Sequence, residues 1–116
     1  MLFAAPTTHD QRLARIAARD PVFIYGVAAM GVTGERDEVS DVPRRLAERI
    51  SAVTGTPLVM GVGIGTPEQA AALAPHVDGI IVGSALVRRA LASDDPIPEI
   101  ASATRALAGS LVASSR

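Results

Sequence analysis

Apolar positions along the chain fall into two alternating patterns. Short, nearly unbroken apolar runs occur at Leu2-Phe3-Ala4-Ala5, Val22-Phe23-Ile24-Tyr25-Gly26-Val27, Leu58-Val59-Met60 and Gly79-Ile80-Ile81-Val82. Runs of this length, without polar residues at every second position, predict strands covered on both faces. Between them the apolar residues recur at helical spacing. Leu13, Ile16 and Ala17 share one face with Arg12, Arg15 and Arg19 pointing away, and Val42, Leu46, Ile50 and Val53 form a second such stripe. Ala70, Ala71, Leu73 and Ala74 give a third, small-residue face, and Ile100, Thr104, Leu107 and Leu111 a fourth. The boundaries carry their own chemistry. Thr66 is a natural N-cap, Pro67 suits the first helical position and Gln69 completes a capping box. Thr8 with Gln11 predicts another box, Asp20-Pro21 a break, and Ser40 or Asp41 the cap of the second helix.

Strand followed by helix, four times over, implies a parallel sheet with right-handed crossovers. An extra helical segment, Ala85-Leu86-Val87, follows the fourth strand, and Ser93-Asp94-Asp95-Pro96 separates it from the last helix. The fold class is α/β: a parallel (βα)4 unit, half of a TIM (β/α)8 barrel in unit count and against that fold's typical length of about 250 residues. Residues 1–116 form one domain, expected to be incomplete because Met1 sits directly against a strand. Four such strands alone leave two edges and an uncovered inner face, which predicts pairing with a complement, self-association or aggregation.

Composition removes whole classes of function. With 48% hydrophobic and 20% charged residues the chain is globular, and a net charge of -1 gives no footprint for nucleic acid or an anionic membrane. Cysteine is absent and all eleven basic residues are arginine. Disulfides, thiolate metal sites, a Schiff-base lysine and a Walker P-loop are therefore excluded. The longest apolar stretch, Val22 to Val32, is shorter than the roughly 20 residues of a membrane span. The opening residues lack the basic start and the length of a signal peptide, so the expected location is cytoplasmic.

Glycine marks the candidate chemistry. Gly61, Gly63 and Gly65 follow the third strand, Gly83-Ser84 the fourth, and Gly31 to Gly34 lie in a long loop, 28–40, after the second. In a parallel α/β sheet, ligands bind at the carboxyl ends of the strands, and bare amides beside a helix N-terminus favour a phosphate. The amides of Gly63, Gly83 and Ser84 and the Ser84 hydroxyl are candidate ligands; the plainer alternative is that the glycines only permit tight turns. The stretch from Gly61 to Thr66 departs from the dinucleotide fingerprint, since position 66 is threonine. His9, His76 and the run Glu35-Arg36-Asp37-Glu38 suit solvated surface better than catalysis, and no Ser/His/Asp or metal-ligand set is present in the pattern.

Four stretches together carry a family resemblance. They are Phe3-Ala-Ala-Pro-Thr-Thr8, Tyr25 followed by Met30-Gly-Val-Thr-Gly34, Gly61-Val-Gly-Ile-Gly-Thr-Pro-Glu-Gln69, and Asp78-Gly-Ile-Ile-Val-Gly-Ser-Ala-Leu-Val87. In these the chain resembles the alpha subunit of tryptophan synthase, in register with strands five to eight of that barrel. The resemblance implies a lyase of tryptophan biosynthesis that cleaves indole-3-glycerol phosphate to indole and glyceraldehyde 3-phosphate by a retro-aldol reaction. It implies a beta subunit as partner, with pyridoxal phosphate held only there and no cofactor or metal on this chain. By position it makes Gly34, Gly63, Gly83 and Ser84 the phosphate ligands, Tyr25, Gly61 and Val62 the pocket wall, and Thr33 a support on a closing loop. Ala28-Ala29 stands where many members have Ser-Arg, and the family's acid–base glutamate and indole-orienting aspartate match no residue here. The resemblance thus implies a phosphate-binding half that is inactive alone; the alternative is a non-catalytic half-barrel acting as a self-associating or interaction module.

Overall fold

The computed structural model describes residues 1–28, 41–61 and 63–114. In chain order these form β1 (Leu2–Ala4), α1 (Asp10–Ala17), β2 (Ile24–Val27), α2 (Val42–Val53), β3 (Leu58–Gly61), α3 (Pro67–Leu73), a 3-10 turn (Ala74–His76), β4 (Gly79–Ile81), α4 (Ser84–Ala92) and α5 (Pro96–Ser114). The strands make one parallel sheet in the order β1-β2-β3-β4. Sequential order and parallel direction together are the βαβ arrangement that the alternating pattern predicts.

Register decides what each face of the sheet does. Leu2 is level with Ile24 and, one strand further, Leu58, and Ala4 with Gly26, Met60 and Ile80 in turn, so these residues share a face. Ala4, Ile24, Leu58 and Met60 join Leu13, Leu46, Ala47, Ile50, Ala70, Leu73 and Leu107 in one buried cluster, so the helices cover this side. The opposite face carries Phe3, Tyr25, Val27, Val59, Gly61, Gly79 and Ile81. No described helix lies on it: Phe3 is 60% exposed, and Tyr25, Val27, Val59 and Ile81 are only half-buried.

The helix layer runs from α1 through α2 to α3 and α5, with α4 packed on α5. Polar anchors fix its ends. Thr66 accepts from the Gln69 amide at 3.2 Å while the Gln69 side chain accepts from the Thr66 amide at 3.2 Å and from the Gly65 amide at 2.8 Å. At the other end Arg49 of α2 holds the β1–α1 turn, donating to the Pro6 carbonyl at 3.0 Å, to the Thr8 carbonyl, and to Asp10 Oδ1 at 2.9 and 3.1 Å. Asp78 Oδ2 accepts from the Leu58 amide at 2.8 Å, tying the starts of β3 and β4 together.

Several local expectations are corrected. The Thr8–Gln11 box does not form, because Thr8 Oγ1 accepts instead from the Ala5 amide at 2.9 Å and α1 starts at Asp10 with His9 at its N-cap. The second strand begins at Ile24 rather than Val22, which lies outside the sheet and is 82% exposed. Asp41 precedes α2 without a capping hydrogen bond; its carboxylate is turned to Arg44, at 3.3 Å. On α5 the buried positions are Ala103 and Leu107, whereas Thr104 is exposed and donates to the Ile100 carbonyl at 2.7 Å.

Candidate functional site

The carboxyl ends of β3 and β4 are neighbours because Gly61 pairs with Ile81. Gly63 and Gly83 each lie two residues beyond that pair, so the turns that carry them leave the sheet side by side. Gly63 has φ 80°, the left-handed region that favours glycine, and this lets the chain reverse from β3 into the run toward α3. Gly65 packs beside the first turn of α4: a Cβ built at Gly65 lies 3.6 Å from Ala85 Cβ.

The fourth strand passes into α4 without a spacer beyond Val82 and Gly83. The first backbone bonds of α4 are those of Leu86 and Val87 to the Gly83 carbonyl, both 3.0 Å. The amides of Gly83, Ser84 and Ala85 are left without a backbone carbonyl among the described residues, as the first amides of a helix are. Gly83 and Ser84 are exposed, and an added Cβ at Gly83 meets nothing within 4 Å. These donors border open space at the positive end of a helix dipole, which is the chemistry of an anion site.

Tyr25 and Gly61 meet at the same end of the sheet. Val27, not Tyr25, is level with Gly61, yet a Cβ built at Gly61 would stand 2.6 Å from the Tyr25 hydroxyl and 3.2 Å from Tyr25 Cζ. The tyrosine ring therefore leans along the strands and ends over the bare backbone of β3. Its other side meets Phe3, with ring centroids 5.2 Å apart and planes tilted by 45°. The Tyr25 hydroxyl has no hydrogen-bond partner among the described residues, so it is available to solvent or a ligand. This contact is not visible in the sequence, because it depends on ring direction across two strands.

Of the residues singled out in the sequence, Gly63, Gly83 and Ser84 are thus gathered on adjacent turns, with Tyr25 and Gly61 beside them. Thr33, Gly34, Val62 and Ala29 lie outside the described residues. Among the described residues no group of acidic or histidine side chains is placed to hold a metal. Among the described residues the one perturbed titratable group is Arg44, at the start of α2, held above its ordinary pKa by Asp41 and then Glu48. A cleft of about 130 Å3 lies behind the mouth, in the helix layer, lined by Gly65, Ala85, Leu86, Arg89, Ala103 and Leu107 among others. It lies between the start of α3, the first turns of α4 and the facing side of α5.

The family model described as "Tryptophan synthase alpha chain" matches residues 1–114. The chain belongs to the tryptophan synthase alpha chain family. Relatives of that name include the Thermobifida fusca protein, 43% identical over 98 residues (82% of this chain, 36% of that one). The Mycobacterium ulcerans protein is 41% identical over 108 residues, 93% of this chain and 39% of the relative. Among solved structures, tryptophan synthase from M. tuberculosis in an open form superimposes with a TM-score of 0.78 at 30% identity, covering 95% of this chain and 39% of that one. A mutant tryptophan synthase alpha-subunit from Pyrococcus furiosus gives 0.77 at 25% identity, covering 93% and 44%. The four parallel strands and their helices thus correspond to a half of the TIM barrel in tryptophan synthase alpha structures. The chain spans about two-fifths of the length of the relatives it matches. No helix among the described residues is long and apolar enough to cross a membrane.

Proposed function

We propose that this chain carries the phosphate-holding part of a tryptophan synthase alpha-type site and serves tryptophan biosynthesis in the cytoplasm. The substrate class is indole-3-glycerol phosphate, and the reaction a retro-aldol cleavage to indole and glyceraldehyde 3-phosphate. The observation that supports this most is the adjacency of Gly63, Gly83 and Ser84 on two turns beside the opening of α4, within a chain of this family. A phosphate dianion there would accept from the Gly83 and Ser84 amides, with the dipole of α4 adding to the attraction. Gly34 and Val62 complete the proposed contacts by family position, with Thr33 as loop support. Tyr25, seated over Gly61, would form the wall against which the rest of the substrate lies.

Cleaving the substrate needs a positioned acid and base to move protons at the indole ring and the glycerol hydroxyl. No residue of 1–116 takes those roles in this reading, so residues 1–116 on their own are expected to bind phosphate without turnover. A beta subunit is the proposed partner, with pyridoxal phosphate on that partner and not on this lysine-free chain.

The test is titration with glycerol 3-phosphate followed by 31P NMR, on the wild type and on Gly83→Ala. An added methyl at Gly83 has open space around it, so folding should be unchanged while the phosphate loses its close approach to the backbone. Saturable binding lost in Gly83→Ala is the expected result. Binding unaffected by that change, or no binding by a folded wild type, would refute the assignment.

A further inference from the structure

The cleft in the helix layer has walls drawn entirely from residues 65–107. The start of α3, the first turns of α4 and one side of α5 surround about 130 Å3 of space. Packed helices leave few gaps larger than a water molecule, and this one is several times that size. Small side chains keep it open, since Ala85 on α4 and Ala103 and Ala106 on α5 line it. Gly65 and Ala85 approach one another at one end, where a Cβ built on Gly65 lies 3.6 Å from Ala85 Cβ.

The floor of the cleft is apolar. Ala85, Ala103 and Leu107 are buried and Leu86 is half-buried. An apolar cavity of about 150 Å3 accepts benzene, so this floor takes a single ring or a short branched aliphatic chain.

The rim is polar and carries both signs of charge. Arg89 borders the cleft from α4, and Glu99 and Ser102 border it from α5. All three are exposed, and none makes a hydrogen bond or ion pair with a described residue. Elsewhere on this surface arginine closes onto a carboxylate in reach: Arg44 meets Glu48 at 2.7 Å and Arg49 meets Asp10 at 2.9 Å. Across the cleft no such closure occurs. The Arg89 guanidinium can donate two parallel N–H bonds to a carboxylate, and the Glu99 carboxylate can accept from an ammonium.

We propose that this cleft binds a small apolar α-amino acid, with its carboxylate on Arg89, its ammonium on Glu99 and its side chain on the floor of Ala85, Ala103 and Leu107. Such a molecule carries both charges on one carbon and sends its side chain off in a third direction, which is the pattern of these walls. An uncharged apolar ligand would leave the rim unmatched, and a wholly polar one the floor. The proposal concerns the helix layer and is independent of what the mouth holds.

Titration of L-leucine into the 15N-labelled protein tests it, with the amides of Gly65, Leu86, Arg89 and Ala103 as reporters. Saturable shifts at these amides at millimolar leucine are expected. Two analogues separate the charges: 4-methylpentanoate lacks the ammonium and 3-methylbutylamine lacks the carboxylate. Each should bind at least about tenfold more weakly than leucine, as a lost charge-assisted hydrogen bond requires. Arg89→Gln and Glu99→Gln should each weaken leucine by a similar factor, and because both side chains are exposed and without a described partner the fold should be kept. Ala103→Leu fills the floor and should abolish binding in a chain whose far-UV circular dichroism is unchanged; should it fail to fold, the two rim variants decide alone. No saturable shift with leucine, shifts that cluster away from the cleft, equal binding of the three ligands, or binding untouched by both rim variants would each overturn the assignment.

Discussion

Gly61→Ala probes the most crowded point at the mouth of the sheet. The new methyl would be 2.6 Å from the Tyr25 hydroxyl, 3.2 Å from Tyr25 Cζ and 3.3 Å from Ile81 Cβ. The ring must swing away, and its contact with Phe3 at 5.2 Å goes with it. Overpacking of this kind costs about 1–3 kcal/mol, and an aromatic pair is worth about 0.5–1.5 kcal/mol. Replacing glycine stiffens the unfolded chain and returns about 0.4–1 kcal/mol. The net expectation is a loss of about 2 kcal/mol, within bounds of about 0.5–4 kcal/mol. Tyr25→Phe removes the atom at 2.6 Å and leaves the nearest ring carbon at 3.2 Å, a distance that small shifts relieve. Alone it should be nearly neutral, since Tyr25 is only half-buried and its hydroxyl has no partner among the described residues. In the double variant most of the penalty should disappear, giving a coupling of about 1–2 kcal/mol. Urea unfolding of the four proteins at one fixed concentration, followed by far-UV circular dichroism, measures it. Coupling within about 0.5 kcal/mol of zero would show that the ring does not lie over Gly61 and would refute the placement of Tyr25.

Three further outcomes follow from particular contacts. Thr66→Ala removes the cap that accepts from Gln69 and should cost about 1 kcal/mol in urea unfolding, with Thr66→Ser keeping most of it. Arg49→Met leaves the carbonyls of Pro6 and Thr8 and the carboxylate of Asp10 without their donor; a loss of about 1–3 kcal/mol and faster amide exchange at Thr8 to Asp10 are expected. Asp20 has φ 52°, so Asp20→Gly should leave stability unchanged or raise the melting midpoint slightly, for a gain of up to about 1 kcal/mol, whereas Asp20→Val should lower it.

What the sequence revealed depended on how far apart the interacting groups are. The Thr66–Gln69 box is local, three residues across, and is built as its residues predict. Thr8 offers the same chemistry, but the turn from β1 competes for its hydroxyl through the Ala5 amide. The stripe on α2 was legible at Leu46 and Ile50, both 1% exposed, while Val42 and Val53 at its ends extend past the part of the helix that the sheet covers. Unbroken apolar strands correctly indicated a parallel sheet, yet for the same reason gave no sign of which face the helices take. That face was settled only by pairing Leu2, Ile24 and Leu58 on one level. Gly83-Ser84 was readable as the opening of a helix because glycine leads directly into a helical run. The Tyr25–Gly61 contact was not, because it joins residues 36 positions apart through one ring orientation.

The ring over Gly61 also gives this molecule an unusual optical character. The chain has one tyrosine and no tryptophan, so its phenolic absorption and ultraviolet fluorescence originate at a single point, the rim where β2 and β3 end. A molecule that settles there would be expected to alter the signal of that single phenol, and an unlabelled sample becomes its own gauge of occupancy.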